Sequence, residues 1–167
     1  MRLDLRNIIH TPGKSVPFDY ELDMSDVTYY DTQPIPEPVR VSGIVRNMAG
    51  ALTLEGKVSV CFHLTCDRCL KAFQRQQEVS LDTLLATQLE DEENDEILLL
   101  EDGCLDLDEL AYSNVILAMD TKNLCREDCK GLCSRCGADL NEGPCSCKPE
   151  IDPRLAALAQ LLDDKTE

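Results

Sequence analysis

Eight of the ten cysteines in this 167-residue chain are spaced as metal ligands. Cys66 and Cys69 form one pair, Cys125, Cys129, Cys133 and Cys136 follow at short intervals, and Cys145 and Cys147 close the series. Two thiolates two residues apart can both be aimed inward from one tight turn, and zinc takes about four such donors in a tetrahedron. Eight thiols make two complete four-cysteine sites. Gly137 stands directly after Cys136, where the backbone must fold back to point both sulfurs the same way. The expected ligands are therefore Cys66, Cys69, Cys125, Cys129, Cys133, Cys136, Cys145 and Cys147, holding two zinc ions. Four thiolates leave no coordination position for water, so the expected role of each ion is structural.

Two pairings satisfy the spacing. Cys133, Cys136, Cys145 and Cys147 lie close enough to close a local knuckle, leaving Cys66 and Cys69 to meet Cys125 and Cys129 across the chain. Alternatively Cys125, Cys129, Cys133 and Cys136 form one site, although the three-residue gaps on both sides of Cys129 make it cramped. Cys61 and Cys104 fall outside either scheme and read as small buried hydrophobes. His63 shares a strand face with Cys61 and is a spare ligand at most. A thiol-redox role for Cys66 and Cys69 would need the first cysteine at a helix N-terminus after a strand. Here the pair lies between two alternating segments. The chain has no G-x-S-x-G, P-loop, dinucleotide glycine fingerprint or His-Glu-x-x-His, so no enzyme activity is expected.

The elements that position these cysteines follow from hydrophobic period. Pro17–Met24 alternates weakly, and Val39, Val41, Gly43 and Val45 alternate clearly. Asn47–Gly50 supplies turn residues and Ala51–Leu54 follows. Gly56 leads into the clearest strand, with Val58, Val60, Phe62 and Leu64 on one face. The Cys66–Cys69 knuckle interrupts it, and Phe73, Arg75, Gln77, Val79 and Leu81 resume the pattern. Strands joined by such short turns must be largely antiparallel. Met1–His10 reads as a short edge segment. The period changes at Asp106, where Leu107, Leu110, Ala111, Asn114, Leu117 and Ala118 form a helical stripe and Asp106 with Glu109 resembles a capping box. Asp152 and Pro153 start a short last helix. The predicted fold class is α+β: a largely antiparallel β meander or partial barrel, then a helix, a cysteine-rich zinc-knuckle segment and a short C-terminal helix. Residues 1–120 would hold the sheet and helix and 121–167 the knuckles, packed as one unit.

Charge narrows the partners. Sixteen Lys and Arg against thirty-two Asp and Glu give −16, which argues against a generic binder of phosphate backbones. With no Trp, three Phe and four Tyr, a stacking platform for single strands is also excluded. From Gln76 to Thr121 there is no Lys or Arg among fourteen acids, including the run Glu90–Glu93, whose plain reading is a solvated loop. The two cysteine windows, 66–75 and 122–148, hold eight basic residues and five acids, and are the least acidic part of the chain. No stretch reaches the ~20 apolar residues of a membrane span, and Met1–Arg6 precedes no signal-type apolar run, so a cytoplasmic protein is expected.

The residues also carry a resemblance. Cys66-Asp67-Arg68-Cys69-Leu70 after an apolar alternating strand, Cys125 through Asn141 with its Cys133-Ser134-Arg135-Cys136-Gly137 core, Cys145-Ser146-Cys147, and Asp152-Pro153-Arg154-Leu155 together resemble the YceD family, the large ribosomal RNA subunit accumulation proteins, in the form seen in Gram-positive bacteria. Position 134 is often Pro in such sequences, a departure with little consequence for metal binding. The resemblance implies a non-enzymatic cytoplasmic protein needed for normal large-subunit ribosomal RNA levels. Within that role the net charge of −16 favours basic partners, so ribosomal proteins or large-subunit assembly intermediates are expected, with contact to the RNA open through the less acidic cysteine windows. A structural zinc module of a transcription or other nucleic-acid complex is the alternative, and it would require a basic face.

Overall fold

Side-chain alternation between Ser15 and Ser80 resolves into four consecutive antiparallel strands. The structure, a computed structural model, describes residues 1–29, 31–88 and 97–147. β1 (Arg2–Asp4) and the short helix α1 (Arg6–Ile9) come first, then β2 (Ser15–Leu22), β3 (Val39–Met48), β4 (Ala51–Thr65), β5 (Ala72–Ser80) and β6 (Thr83–Ala86). β7 (Ile97–Leu99), β8 (Cys104–Asp106) and α2 (Leu107–Leu117) follow. The main sheet has the order β2-β3-β4-β6-β7, and β5 pairs with β4 as well. β4 is the hub. One edge pairs with β3 at Ala51–Ser59, while the other takes β6 at Leu52–Leu54 and β5 at Lys57–Thr65. No pairing among the described residues joins β2 to β7, so the meander rolls without closing.

The core lies on one face of this sheet. Val41 sits opposite Val58, and Val45 opposite Leu54, with Phe62 and Val60 further along β4, all buried. Phe18 lies over the Gly43–Gly56 pair, where a methyl on Gly43 would stand 2.6 Å from the ring. Helix α2 covers this face with Leu107, Ala111 and Val115. Asp106 caps it by accepting hydrogen bonds from the N–H groups of Asp108 and Glu109, as its sequence position suggests. Asn47 is the one polar side chain fully inside the described core, and each of its polar atoms has a partner. Its Nδ2 donates to the carbonyls of Ile8 and Ile9 at 2.7 and 2.9 Å, and its Oδ1 accepts from the Gly50 N–H at 2.9 Å. It thereby fastens α1 to the β3–β4 hairpin.

Several details depart from the reading of the sequence. Ala51–Leu54 and the strand after Gly56 are one fifteen-residue strand, because Gly56 pairs in register with Gly43. Met1–His10 holds both β1, which pairs with β8 in a separate two-stranded sheet, and α1. β6 and β7 pair in parallel, the exception to the antiparallel rule, and a three-residue strand carries too little alternation to announce this. The helical stripe is rotated: Leu117 is 83% exposed, and Val115 takes the inward position instead. Leu110, Ala111, Tyr112, Val115, Ile116 and Leu117 make this helix apolar around most of its circumference, so periodicity alone could not choose the buried face. The Glu90–Glu93 run and the helix expected after Asp152 lie outside the described residues.

Candidate metal centres

The first centre begins where β4 ends. Cys66 is the first residue past the strand and Cys69 sits in the turn to β5. The Leu70 N–H bonds back to the Cys66 carbonyl at 2.9 Å, and the Cys66 N–H to that of Lys71, also at 2.9 Å. Leu70 adopts a left-handed φ of 58° to complete this fold-back. The segment after α2 is then laid against the turn. The Asp67 N–H donates to the Asn123 carbonyl at 2.8 Å, and the Asn123 N–H to the Asp67 carboxylate at 2.6 Å. Arg68 donates to the Cys129 carbonyl at 2.7 Å, and the Leu132 N–H to the Arg68 carbonyl at 3.0 Å. These bonds bring Cys125 and Cys129 over Cys66 and Cys69. Leu124, Leu132 and Phe73 pack around Cys66, Cys69 and Cys129, all three of which are buried.

The second centre is local. Cys133, Cys136, Cys145 and Cys147 converge around a knuckle of the same design, in which the Gly137 N–H bonds back to the Cys133 carbonyl at 2.9 Å. Gly137 takes φ 71°, at the position that Leu70 occupies in the first knuckle. Each set of four sulfurs lies within 4.8 Å of one another. In the first, Cys66 Sγ is 3.8 Å from Cys129 Sγ and Cys69 Sγ is 3.7 Å from Cys125 Sγ. Metal–sulfur bonds of about 2.3 Å in a regular tetrahedron require sulfur–sulfur edges of about 3.8 Å, so the donors fit a zinc-sized ion. They are far beyond the ~2.05 Å of a disulfide. The structure thus groups the eight predicted cysteines as the long-range pairing has them, and does not assemble the rival set of Cys125, Cys129, Cys133 and Cys136. Both clusters can hold metal ions.

Electrostatics within each cluster separate one ready thiolate from its neighbours. Burial works against ionising Cys66, but N–H groups of Cys125, Cys69 and Arg68 aimed at its sulfur win and bring the thiol down to about 6. The N–H groups of Cys136 and Arg135 likewise lower Cys133 to about 6. Burial and the surrounding sulfurs, Cys66 first, raise Cys125 to about 12. Cys136 and then burial raise Cys147 to about 12. The Lys71 N–H lowers Cys69 and the Cys147 N–H lowers Cys145, but both thiols move up on balance, Cys69 through burial and then its neighbouring thiols, Cys145 through Cys133 and then burial. Crowded thiols hold their protons until a cation replaces them.

Reading the sequence missed the residues that hold the two centres together. Asn141 belongs to the second loop yet serves the first centre, its Nδ2 lying 3.5 Å from Cys129 Sγ. Its Oδ1 accepts from the Lys130 N–H and from Arg126, both at 2.8 Å. Lys71, at the start of the β4–β5 return, places its Nζ 2.7 Å from Asp139 and 3.1 Å from Glu142. Lys71, helped by the Asn141 N–H, holds the Asp139 carboxyl down at about 2. The only sequence signal was a pair of Asx residues, Asp139 and Asn141, in a turn. Arg75 similarly reaches Asp120 at 2.5 Å. Cys61 and His63 lie half-buried on the outer face of β4, and Cys104 lies half-buried in β8.

Two glycines make different contributions. A methyl on Gly137 would meet nothing within 4 Å, so Gly137→Ala carries only the left-handed strain, about 1 kcal/mol. At Gly131 the φ is 76°, and the methyl would also stand 2.8 Å from the Arg68 carbonyl oxygen, where the two halves of the first centre meet. Gly131→Ala is expected to cost about 3 kcal/mol, toward the upper end for such sites. Thermal unfolding of the metal-loaded variants checks the order; equal losses would show that the contact at Arg68 is not tight.

An antiparallel β sheet with one long helix, joined to a pair of four-cysteine knuckles, defines a small β-rich protein built around clustered thiols. The chain belongs to the YceD family: the model described as large ribosomal RNA subunit accumulation protein YceD matches residues 54–162. It is 30% identical over 127 residues to an uncharacterized protein of Mycobacterium tuberculosis, covering 74% of this chain and 61% of that one. A Mycobacterium leprae relative is 30% identical over 130 residues, covering 75% of this chain and 59% of its own length. The chain therefore spans about 60% of these mycobacterial relatives. The Bacillus subtilis protein YlbN is 26% identical over 174 residues, covering 100% of this chain and 99% of that one. No solved structure matches. The family's description is of an accumulation factor for large-subunit ribosomal RNA. No helix among the described residues is long and apolar enough to cross a membrane.

Proposed function

We propose that this chain is a non-enzymatic, cytoplasmic zinc-binding factor that supports large-subunit ribosomal RNA accumulation and ribosome assembly by engaging basic ribosomal proteins. Two structural zinc ions, one in each four-cysteine cluster, hold residues 121–167 on the sheet-and-helix part, 1–120, so that the two act as one unit. The observation that carries the choice of partner is where the knuckle cations go. Lys71, Arg75 and Arg126 pair with the carboxylates of Asp139, Asp120 and Asp128, and Arg68 is turned inward to the Cys129 carbonyl. That engagement disfavours an RNA-binding basic face, which the nucleic-acid module reading also requires. Meanwhile Asp102, before β8, and Glu109, in the first turn of α2, stand exposed. Two tetrathiolate zinc sites would take the charge from −16 to about −20. A surface of that sign attracts basic proteins and repels phosphates within the ~8–10 Å reach of screened charges.

The test is binding of the zinc-loaded chain to purified basic large-subunit proteins and, separately, to large-subunit RNA fragments. Changing Glu90, Glu92 and Glu93 to Gln and Asp91 to Asn, together with Asp102→Asn and Glu109→Gln, is expected to weaken protein binding about tenfold at low salt. RNA binding should be unchanged or stronger. Undiminished protein binding, or RNA binding in the parent that Lys122→Glu and Lys130→Glu abolish, would overturn the protein-contact reading.

A further inference from the structure

We propose that Glu37, Cys61 and His63 form a third divalent-metal site, of mixed oxygen, sulfur and nitrogen donors and open to solvent. It lies on the outer face of the sheet, separate from the two tetrathiol clusters. Cys61 and His63 are two residues apart on β4, so the pleat places both on the same face. Glu37 comes from the segment that leads into β3, which is tied alongside by a 2.8 Å hydrogen bond from the His63 N–H to the Pro34 carbonyl. One ligand atom from each residue lies within 4.8 Å of the others, and His63 Nε2 is 3.8 Å from the Glu37 carboxylate. Gln74, opposite His63 on β5, donates its side-chain amide to the same ring nitrogen at 3.1 Å, so that nitrogen carries a lone pair facing outward, and the amide must swing aside when a metal takes its place.

The donor set decides what would bind. A thiolate, an imidazole and a carboxylate suit zinc, whose borderline softness accepts all three, and are poor for magnesium or calcium. Three protein donors also leave a fourth position open, unlike the closed tetrathiol clusters. Beside Cys61 lies an open cleft of ≈ 370 Å³ lined by Pro38, Ser59, Gln76 and Glu78, with room for a water or for a donor brought by another molecule. The two anionic ligands cancel the charge of the ion. Three donors, of which one is an exposed carboxylate, hold this ion where four thiolates hold each of the others, so it exchanges more readily than those in the clusters.

The experiment is cobalt(II) titration of the full chain with its two clusters already filled with zinc, followed by native mass spectrometry and visible absorption. One cobalt per chain is expected above the two zinc ions, with a sulfur-to-metal charge-transfer band. Cys61→Ser or His63→Gln should abolish it while both zinc ions remain, and Glu37→Gln should weaken it about tenfold. Retention of the two zinc ions shows that a variant is folded. If Cys61→Ser loses them, Glu37→Gln, on an exposed side chain, carries the same comparison. No cobalt bound to the parent under excess metal, cobalt without a sulfur band, or unchanged binding in the variants would overturn the site.

Discussion

Replacing Cys66 with serine is expected to halve the zinc content, leaving one ion in the Cys133–Cys147 cluster and a folded sheet. The sheet survives because its buried residues, from Leu3 to Val115, form a cluster of their own, apart from the one around Cys66, Cys69 and Cys129. The loss falls instead on the junction. Cys66 and Cys129 are 63 positions apart, and a clip closing a loop of that length removes chain entropy worth about 4 kcal/mol from the unfolded ensemble. Residues 121–132, then held to the β4–β5 turn by the Asp67 and Arg68 bonds without the metal, should exchange amide hydrogens faster. Cys133→Ser should show the complementary pattern, with the first ion kept and a smaller entropic loss, about 3 kcal/mol, because its loop is short. Native mass spectrometry decides. Two ions retained by the Cys66→Ser chain would show that the long-range grouping does not bind metal.

Metal affinity is expected to fall at least about 100-fold for each unit that pH drops below 8, an effect as large as many ligand substitutions. The sign follows from which species hold protons. Without metal, Cys69 and Cys125 in one cluster and Cys145 and Cys147 in the other are shifted upward and remain protonated at neutral pH. With metal they are thiolates, so at least two protons leave for each ion bound, and raising pH favours the bound form. Cys66 and Cys133, lowered to about 6, are already ionised above that pH and add nothing to the slope there. Below about 6 they take up protons too, and the slope should steepen by about a further tenfold per unit. Competition with a chromophoric chelator, corrected for its own protonation, measures this between pH 5 and 8. A flat profile would mean that the thiols are ionised before metal arrives.

Much of the architecture was legible because two kinds of pattern are local. Val58, Val60, Phe62 and Leu64 alternate through a long strand, and only one face of a sheet can be buried, so the register leaves little choice. Asp106 announces the start of α2 by its side chain alone. Cysteine spacing announces ligands because a tetrathiol site needs paired donors at tight turns. Where a local pattern was degenerate, the reading slipped. Leu117 could not be told from Val115 on a helix apolar nearly all round, and the parallel β6–β7 pair has no signature in three residues.

The inventory of chemistry was thus written in residue types: eight thiols able to hold two ions, a strongly acidic chain, alternating strands and a capped helix. Their arrangement was not, because it depends on contacts between distant segments that spacing leaves open. The choice between two cysteine pairings rests on the bonds of Asp67 with Asn123 and of Arg68 with Cys129 and Leu132, which lay residues 121–132 across the β4–β5 turn. The fate of the basic residues is likewise a matter of distance. Lys71 reads as an available cation in sequence, and only when folding brings Asp139 to 2.7 Å is its charge paired within the chain. Glu37 joins Cys61 and His63 for the same reason: a separation of more than twenty positions vanishes when the Pro34 carbonyl bonds to β4.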